Sequence, residues 1–273
     1  YKVYKLNVKD GTSTVVINNK EVDIGEVDYV KVNNNGVEVP TWIIKSRRPN
    51  NVGIVYVHGG PWGEVDNSWD LIISPLVLMG FNVIAPNYRG STGYGSKFNL
   101  MDIGDPGGGD LDDVVVVRDY AVEKGIAKKI GIMGYSYGGY MTLLAMGKTP
   151  DKWDFGIAGA SVADWVEQYD LSDSLFKEFI TVLFGGKNVE LMKERSPITY
   201  VNNVKSPLCI IHSQNDTRTP LTPVLKYVQK LHEGNKTFYF HVIPNIGHVI
   251  YRIDDAIDIL LPALIFLKKL FPG

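Results

Sequence analysis

The sequence predicts an α/β fold: a mostly parallel sheet with helices on both faces and antiparallel strands at its amino-terminal end. Three observations carry that prediction. Short β-branched runs alternate with segments of helical periodicity along most of the chain, and strands separated by helices return parallel to one another. The first forty-odd residues break the pattern, reading as hairpins with Asx-Gly turns. The chain has 273 residues, 45% apolar and 21% charged, enough to bury the core of one large α/β unit with a small appendage.

Taken in order, "YKVYKLNVKDGTSTVVINN" alternates polar and apolar residues around an Asp-Gly turn, giving a short hairpin. An isolated hairpin is marginal in water, and this one has no obvious place in the main sheet. It resembles the closing strands of a β-propeller blade. The expected division is residues 1–24 as a remnant of an absent amino-terminal propeller, and residues 25–273 as the main domain. A second hairpin, "EVDYVKVNNNGVEVPTWIIKS", turns at "NNNG" and can add antiparallel strands to the sheet. Strand-like runs follow at 51–58, 81–86, 128–134, 155–161, 207–212 and 238–243. Helical periodicity covers 68–79, 110–124, 137–148, 221–233 and 254–270. The four valines of "DLDDVVVVRDYAVEKG" favour a strand, but Asp110 as a cap, acidic residues in the first turn, the length and Gly125 at the end decide for a helix. Pro262 should kink the last helix.

A net charge of −2 offers no basic field for nucleic acid or an anionic membrane. No signal peptide or spanning helix is visible: the most apolar stretch, 256–271, carries Asp258, Pro262, Lys268 and Lys269. A cytoplasmic location is the default expectation. The single cysteine, Cys209 in "PLCIIH", reads as an inert core thiol. The glycine run 107–109 lacks a following Gly-Lys-Ser/Thr, which argues against a nucleotide site. No carboxylate–histidine set has metal-ligand spacing, so no cofactor or metal is expected.

The chemistry centres on Gly134-Tyr135-Ser136-Tyr137-Gly138. A strand ends at Gly134 and a helix begins near Tyr137, with glycines on both sides to let the turn tighten. That context presents Ser136 above the sheet as a nucleophile. A serine hydroxyl needs a base within hydrogen-bond reach and a third group orienting that base. Asp216 follows the strand ending "CIIH", and His248 lies in the loop after "FYFHVIP", in the order Ser, Asp, His. His212 and His241 read as structural and His232 as exposed, leaving His248 as the base. His58 opens "HGGP" after an early strand. Tyr137 N–H and Gly60 N–H are the expected oxyanion donors, with the His58 ring bracing the loop. Phe176, Phe179, Ile180 and Leu183 fall on one helix face, a pattern that is core more often than pocket. Arg218 shares the loop of Asp216 and cannot be far from the site.

These residues, with "NYRGSTGYG" (87–95), "GDPGGGDLDD" (104–113), "MGYSYGGYMT", "GASVADW" (159–165), "RSPI" (195–198) and "QNDTRTP" (214–220), resemble the prolyl oligopeptidase family of serine peptidases, specifically its acylaminoacyl peptidase branch. The resemblance runs from about Val27 to the carboxyl end. It implies an α/β-hydrolase domain, normally joined to a β-propeller that filters substrates by size. It further implies that Phe176, Phe179, Ile180 and Leu183 line an apolar acyl-amino-acid pocket with Tyr135, Val162 and Trp165, and that Arg218 holds the acyl end of the substrate. The expected partner is a short N-acylated peptide. The alternatives are a carboxylesterase acting on small esters with the same residues, or an inactive hydrolase fold used for binding. Assembly into a homo-oligomer is left open.

Overall fold

The computed structural model describes residues 2–18 and 23–272. The first hairpin forms as expected: β1 (Lys2–Leu6) pairs antiparallel with β2 (Ser13–Asn18). At its turn the Asp10 carboxylate accepts the Thr12 amide at 2.9 Å and the Thr12 hydroxyl at 2.7 Å. The pair is a sheet of its own. The junction at residues 19–22, where the expected domain boundary falls, lies outside the described residues.

The main sheet has eight strands: β3 (Gly25–Asn34), β4 (Val37–Ser46), β5 (Val52–Val57), β6 (Asn82–Pro86), β7 (Lys129–Tyr135), β8 (Gly156–Gly159), β9 (Leu208–Ser213) and β10 (Phe238–Ile243). In space they run β10, β9, β8, β7, β5, β6, β4, β3. Every pairing from β10 to β6 is parallel, and the second hairpin adds β4 and β3 antiparallel at the far edge. Its turn needs left-handed backbone, which Asn35 (φ 51°) and Gly36 (φ 89°) supply.

The helices are α1 (Ile73–Leu78), α2 (Ser96–Asn99), α3 (Gly109–Glu123), α4 (Tyr137–Lys148), α5 (Trp165–Leu171), α6 (Ser174–Leu183), α7 (Val189–Glu194), α8 (Leu221–Glu233) and α9 (Ile253–Leu270). They cover both faces. Alternate residues of the fully buried β5 divide between two cores: Val55 and Val57 join α3, α4 and α8, while Ile54 and Tyr56 join α1 and α9. That two-sided burial explains why the central strands read as continuous apolar runs.

Two expectations are corrected. The helix expected from residue 68 begins only at Ile73, because the Asp70 carboxylate gathers the Ile72 and Ile73 amides at 2.7 Å each and holds the preceding residues in a turn. Asp110 is not the cap of α3. Gly108 holds that position, the Asp105 carboxylate accepts the Gly109 amide, and Asp110 points into the interior. The last helix, α9, carries Pro262 within it. The carbonyl deprived of its partner belongs to the exposed Asp258, where water can satisfy it.

Candidate active site

Ser136 is the single residue between β7 and α4, and it takes φ 59°, ψ −118°. Left-handed backbone at a non-glycine residue costs of order 1–3 kcal/mol and persists only where the surroundings over-determine it. Here the Ser136 amide donates to the Gly159 carbonyl of β8, and its own carbonyl accepts the Tyr140 amide, both at 2.9 Å. The flanking glycines serve a different purpose. A Cβ on Gly138 would overlap the Val57 carbonyl oxygen at the end of β5, and one on Gly134 would lie 2.6 Å from that same atom. The strain sits on the serine; the glycines let the turn press against β5.

Three loops at one end of the sheet converge on that serine. His248, in the loop after β10, places Nε2 2.9 Å from Ser136 Oγ and Nδ1 2.7 Å from Asp216 Oδ2. Asp216, after β9, is 5% exposed and saturated with donors. Its Oδ1 accepts the Arg218 and Thr219 amides at 3.0 and 2.8 Å, and its Oδ2 accepts the Thr219 hydroxyl at 2.8 Å. Burial alone would raise the Asp216 pKa, but the His248 hydrogen bond and charge, with the Thr219 donors, outweigh it and hold the carboxyl below its usual value. The carboxylate fixes the imidazole tautomer: Nδ1–H faces Asp216, leaving the Nε2 lone pair toward the serine hydroxyl.

The other histidines lie where the sequence reading put them. His212 is buried and donates from Nε2 to the Thr219 carbonyl at 2.7 Å, bracing the Asp216 loop. His58 stacks on Tyr88 with ring centroids 4.4 Å apart, and its Nε2 shares a 2.8 Å hydrogen bond with Ser91 Oγ. Burial pulls the His58 pKa down to about 4, so the ring is neutral at ordinary pH. Gly59 packs against the serine: a Cβ there would lie 3.5 Å from Ser136 Cβ. Next to it, Gly60 has φ 133°, a conformation left to glycine. Among the described residues, neither the Gly60 amide nor the Tyr137 amide donates a hydrogen bond to another protein group. Both are available to an oxyanion.

The pocket residues divide. Tyr135, Phe176 and Phe179 keep accessible surface, and Phe179 packs edge-on against Trp62 at 5.4 Å. Ile180 and Leu183 are 0% exposed, Trp165 1% and Val162 3%. Ile180 and Leu183 are thus spent on the core against Trp165 and Phe184, and offer no face to a ligand. Arg218 is exposed, and its guanidinium has no ion-pair partner among the described residues. Its carbonyl accepts the Gln168 side chain of α5 at 2.6 Å, tying the acid loop to the helix that carries Trp165.

Several site features were not legible in the sequence. The Tyr135 hydroxyl donates to the His248 carbonyl at 2.8 Å, so this residue holds the histidine loop. Asp110, fully buried, accepts the hydroxyl of Tyr137, the residue after Ser136, at 2.6 Å, and burial pushes its pKa up to about 7. Only the run of Asp and Gly around it hinted at something beyond a helix cap.

Residues 67–273 match the family model described as the prolyl oligopeptidase family. The chain belongs to that family. It is 29% identical over 228 residues to the acylamino-acid-releasing enzyme of Rattus norvegicus, an alignment covering 78% of this chain and 31% of that one. It is 31% identical over 214 residues to dipeptidyl aminopeptidase BIII of Pseudoxanthomonas mexicana, covering 74% and 31%. Among solved structures, the uncomplexed acylaminoacyl peptidase of Pyrococcus horikoshii superposes with a TM-score of 0.86 at 27% identity, covering 95% of this chain and 44% of that one. The chain therefore spans about a third of the length of these curated relatives. It is thus a member of a family of serine peptidases and is similar to acylaminoacyl peptidases, and its mixed sheet is that of an α/β-hydrolase. No helix among the described residues is long and apolar enough to cross a membrane.

Proposed function

We propose that the chain removes an N-acylated amino acid from short peptides through an acyl-enzyme. The observation that carries this reading is the contact of His248 Nε2 with Ser136 Oγ at 2.9 Å, backed by Asp216 at 2.7 Å. Ser136 Oγ attacks the scissile carbonyl carbon as its proton passes to His248 Nε2. Asp216 stabilises the imidazolium. The oxyanion accepts the Gly60 and Tyr137 amides. Collapse breaks the C–N bond, and the leaving amine takes the proton from Nε2. Water then attacks the Ser136 ester, gives a proton to His248, and the acylated amino acid leaves as Ser136 is reprotonated.

The likeness to acylamino-acid-releasing enzymes supports the substrate class, and two local features agree with it. The partly exposed Phe176 and Phe179 offer an apolar seat for the side chain, and the unpaired Arg218 offers a planar donor set for an acyl carbonyl. The same reading takes the protein to be cytoplasmic.

Turnover of an N-acetyl-amino-acid anilide against a p-nitrophenyl ester by the purified chain tests the proposal. Anilide cleavage that falls on the order of 10⁶-fold in Ser136→Ala is expected, as for other triads. Ester hydrolysis with no anilide cleavage would assign the site to a carboxylesterase, and failure of an organophosphonate to label Ser136 would remove catalysis altogether.

A further inference from the structure

Asp102 lies in the segment between α2 and α3, and it is 0% exposed. One carboxylate oxygen accepts the Trp62 indole N–H at a long 3.3 Å, and the other has no hydrogen-bond partner. The group packs against the Gly90 α-carbon, where a Cβ would come within 2.7 Å of its carboxyl carbon. It raises the pKa values of Tyr88 and Asp110, and no cation is among the groups that act on it. Burial raises its pKa to about 6. Leaving a buried acceptor unpaired costs about 1–3 kcal/mol, and an apolar side chain would fill this place better. Stability does not account for a carboxylate here.

The residue it holds gives an account. Trp62 follows Gly60 by two positions on the loop between β5 and α1. That loop is fixed at its root, where the Tyr88 hydroxyl donates to the His58 carbonyl at 3.0 Å and His58 bonds Ser91. It is fixed again where the Thr92 amide donates to the Gly63 carbonyl at 2.9 Å. Between these points His58 Nδ1–H donates to the Gly59 carbonyl at 2.8 Å and the Gly63 amide to the Pro61 carbonyl at 2.8 Å, while Gly60 itself makes no hydrogen bond among the described residues. Trp62 is the side chain that spans the gap, edge-on to Phe179 on one side and bonded to Asp102 on the other.

We infer that Asp102 is a positioning residue: by accepting the Trp62 indole N–H it fixes the tip of the loop that aims the Gly60 amide at the oxyanion. The inference rests on the acyl-transfer reading given above. Without the acceptor the indole turns toward solvent, and the tip from Gly60 to Trp62 is left to the His58–Gly59 hydrogen bond alone. Substrate still seats, but transition-state stabilisation falls, because misplacement by about 1 Å is enough to cost on the order of 10² in rate.

Three substitutions test this. Asp102→Asn keeps an acceptor, Asp102→Leu removes it while keeping the branching of the side chain, and Trp62→Phe keeps a ring against Phe179 without the N–H. The readouts are kcat and KM on an N-acetyl-amino-acid anilide, and the rate at which a fluorophosphonate modifies Ser136. Asp102→Leu and Trp62→Phe are each expected to lower kcat and the labelling rate about tenfold, with KM within about twofold. Asp102→Asn should recover all but about two- to threefold, and the double variant Asp102→Leu/Trp62→Phe should be no slower than either single one. Equal losses in Asp102→Asn and Asp102→Leu, or multiplied losses in the double variant, would overturn the inference. If Asp102→Leu does not fold, wild-type rates in Trp62→Phe overturn it equally. A wild-type chain that is labelled at Ser136 but leaves the anilide intact removes the substrate reading alone, and the labelling rates still decide the role of Asp102.

Discussion

At the residue scale, the site is built on interior charge as much as on the triad. Asp110 titrates near 3.8 in an unfolded chain and about 7 in the fold, where burial is the dominant cause. The native state therefore holds an extra proton between those values. Stability falls as pH rises from about 4 to about 7 and levels off above, the reverse of a carboxyl such as Asp216, whose stabilising effect is lost only as the medium turns strongly acidic. Asp102, pushed up to about 6, adds to the same downward slope. The thermal midpoint should thus be higher at pH 5 than at pH 8, and Asp110→Asn should shrink that difference. An unchanged difference in melting scans at the two pH values would contradict this assignment. The asparagine keeps an acceptor for the Tyr137 hydroxyl, so the comparison isolates the charge.

At the element scale, the decisive unit is strand β7, the one-residue turn and helix α4. The turn tolerates no methyl group at Gly138, because the Val57 carbonyl of β5 already occupies the space. Gly138→Ala is expected to cost about 2–3 kcal/mol, as overpacking against a rigid backbone does, and to lower kcat as well by displacing Ser136. Denaturant midpoints with parallel kinetics would check both. Much of this level was legible beforehand. The six parallel strands, both hairpins, α4, α8 and the loop order of Ser136, Asp216 and His248 follow from periodicity and turn chemistry, which are local properties. What escaped was set by contacts distant in sequence. The cap of α3 moved because Asp110 is drawn inward by Tyr137, and α5 and α7 are too short for a periodic signal. Ile180 and Leu183 share a helical face with Phe176 and Phe179, yet burial separates them: the first two join the core with Trp165 and Phe184, while the two phenylalanines pack against it only partly buried.

For the whole molecule, the two sheets are unequal partners. Among the described residues, the β1–β2 hairpin pairs only with itself, its Tyr4, Leu6 and Val16 are exposed, and residues 3–16 join neither core. Deleting residues 1–18 should move the thermal midpoint of the rest by no more than about 2 °C, a small change on the scale of 1 kcal/mol for a domain this size. A large drop in a melting scan would mean the hairpin braces the hydrolase after all. The eight-stranded sheet, by contrast, carries its own reporter. Cys209 sits in the middle of β9 with 0% exposure, its thiol pushed up to about 12 by burial. Its side chain joins the core shared with α9, so an alkylating reagent can reach it only when that face of β9 is uncovered, and the rate of carbamidomethylation, followed by mass, becomes a stopwatch for opening of the α9 side of the sheet.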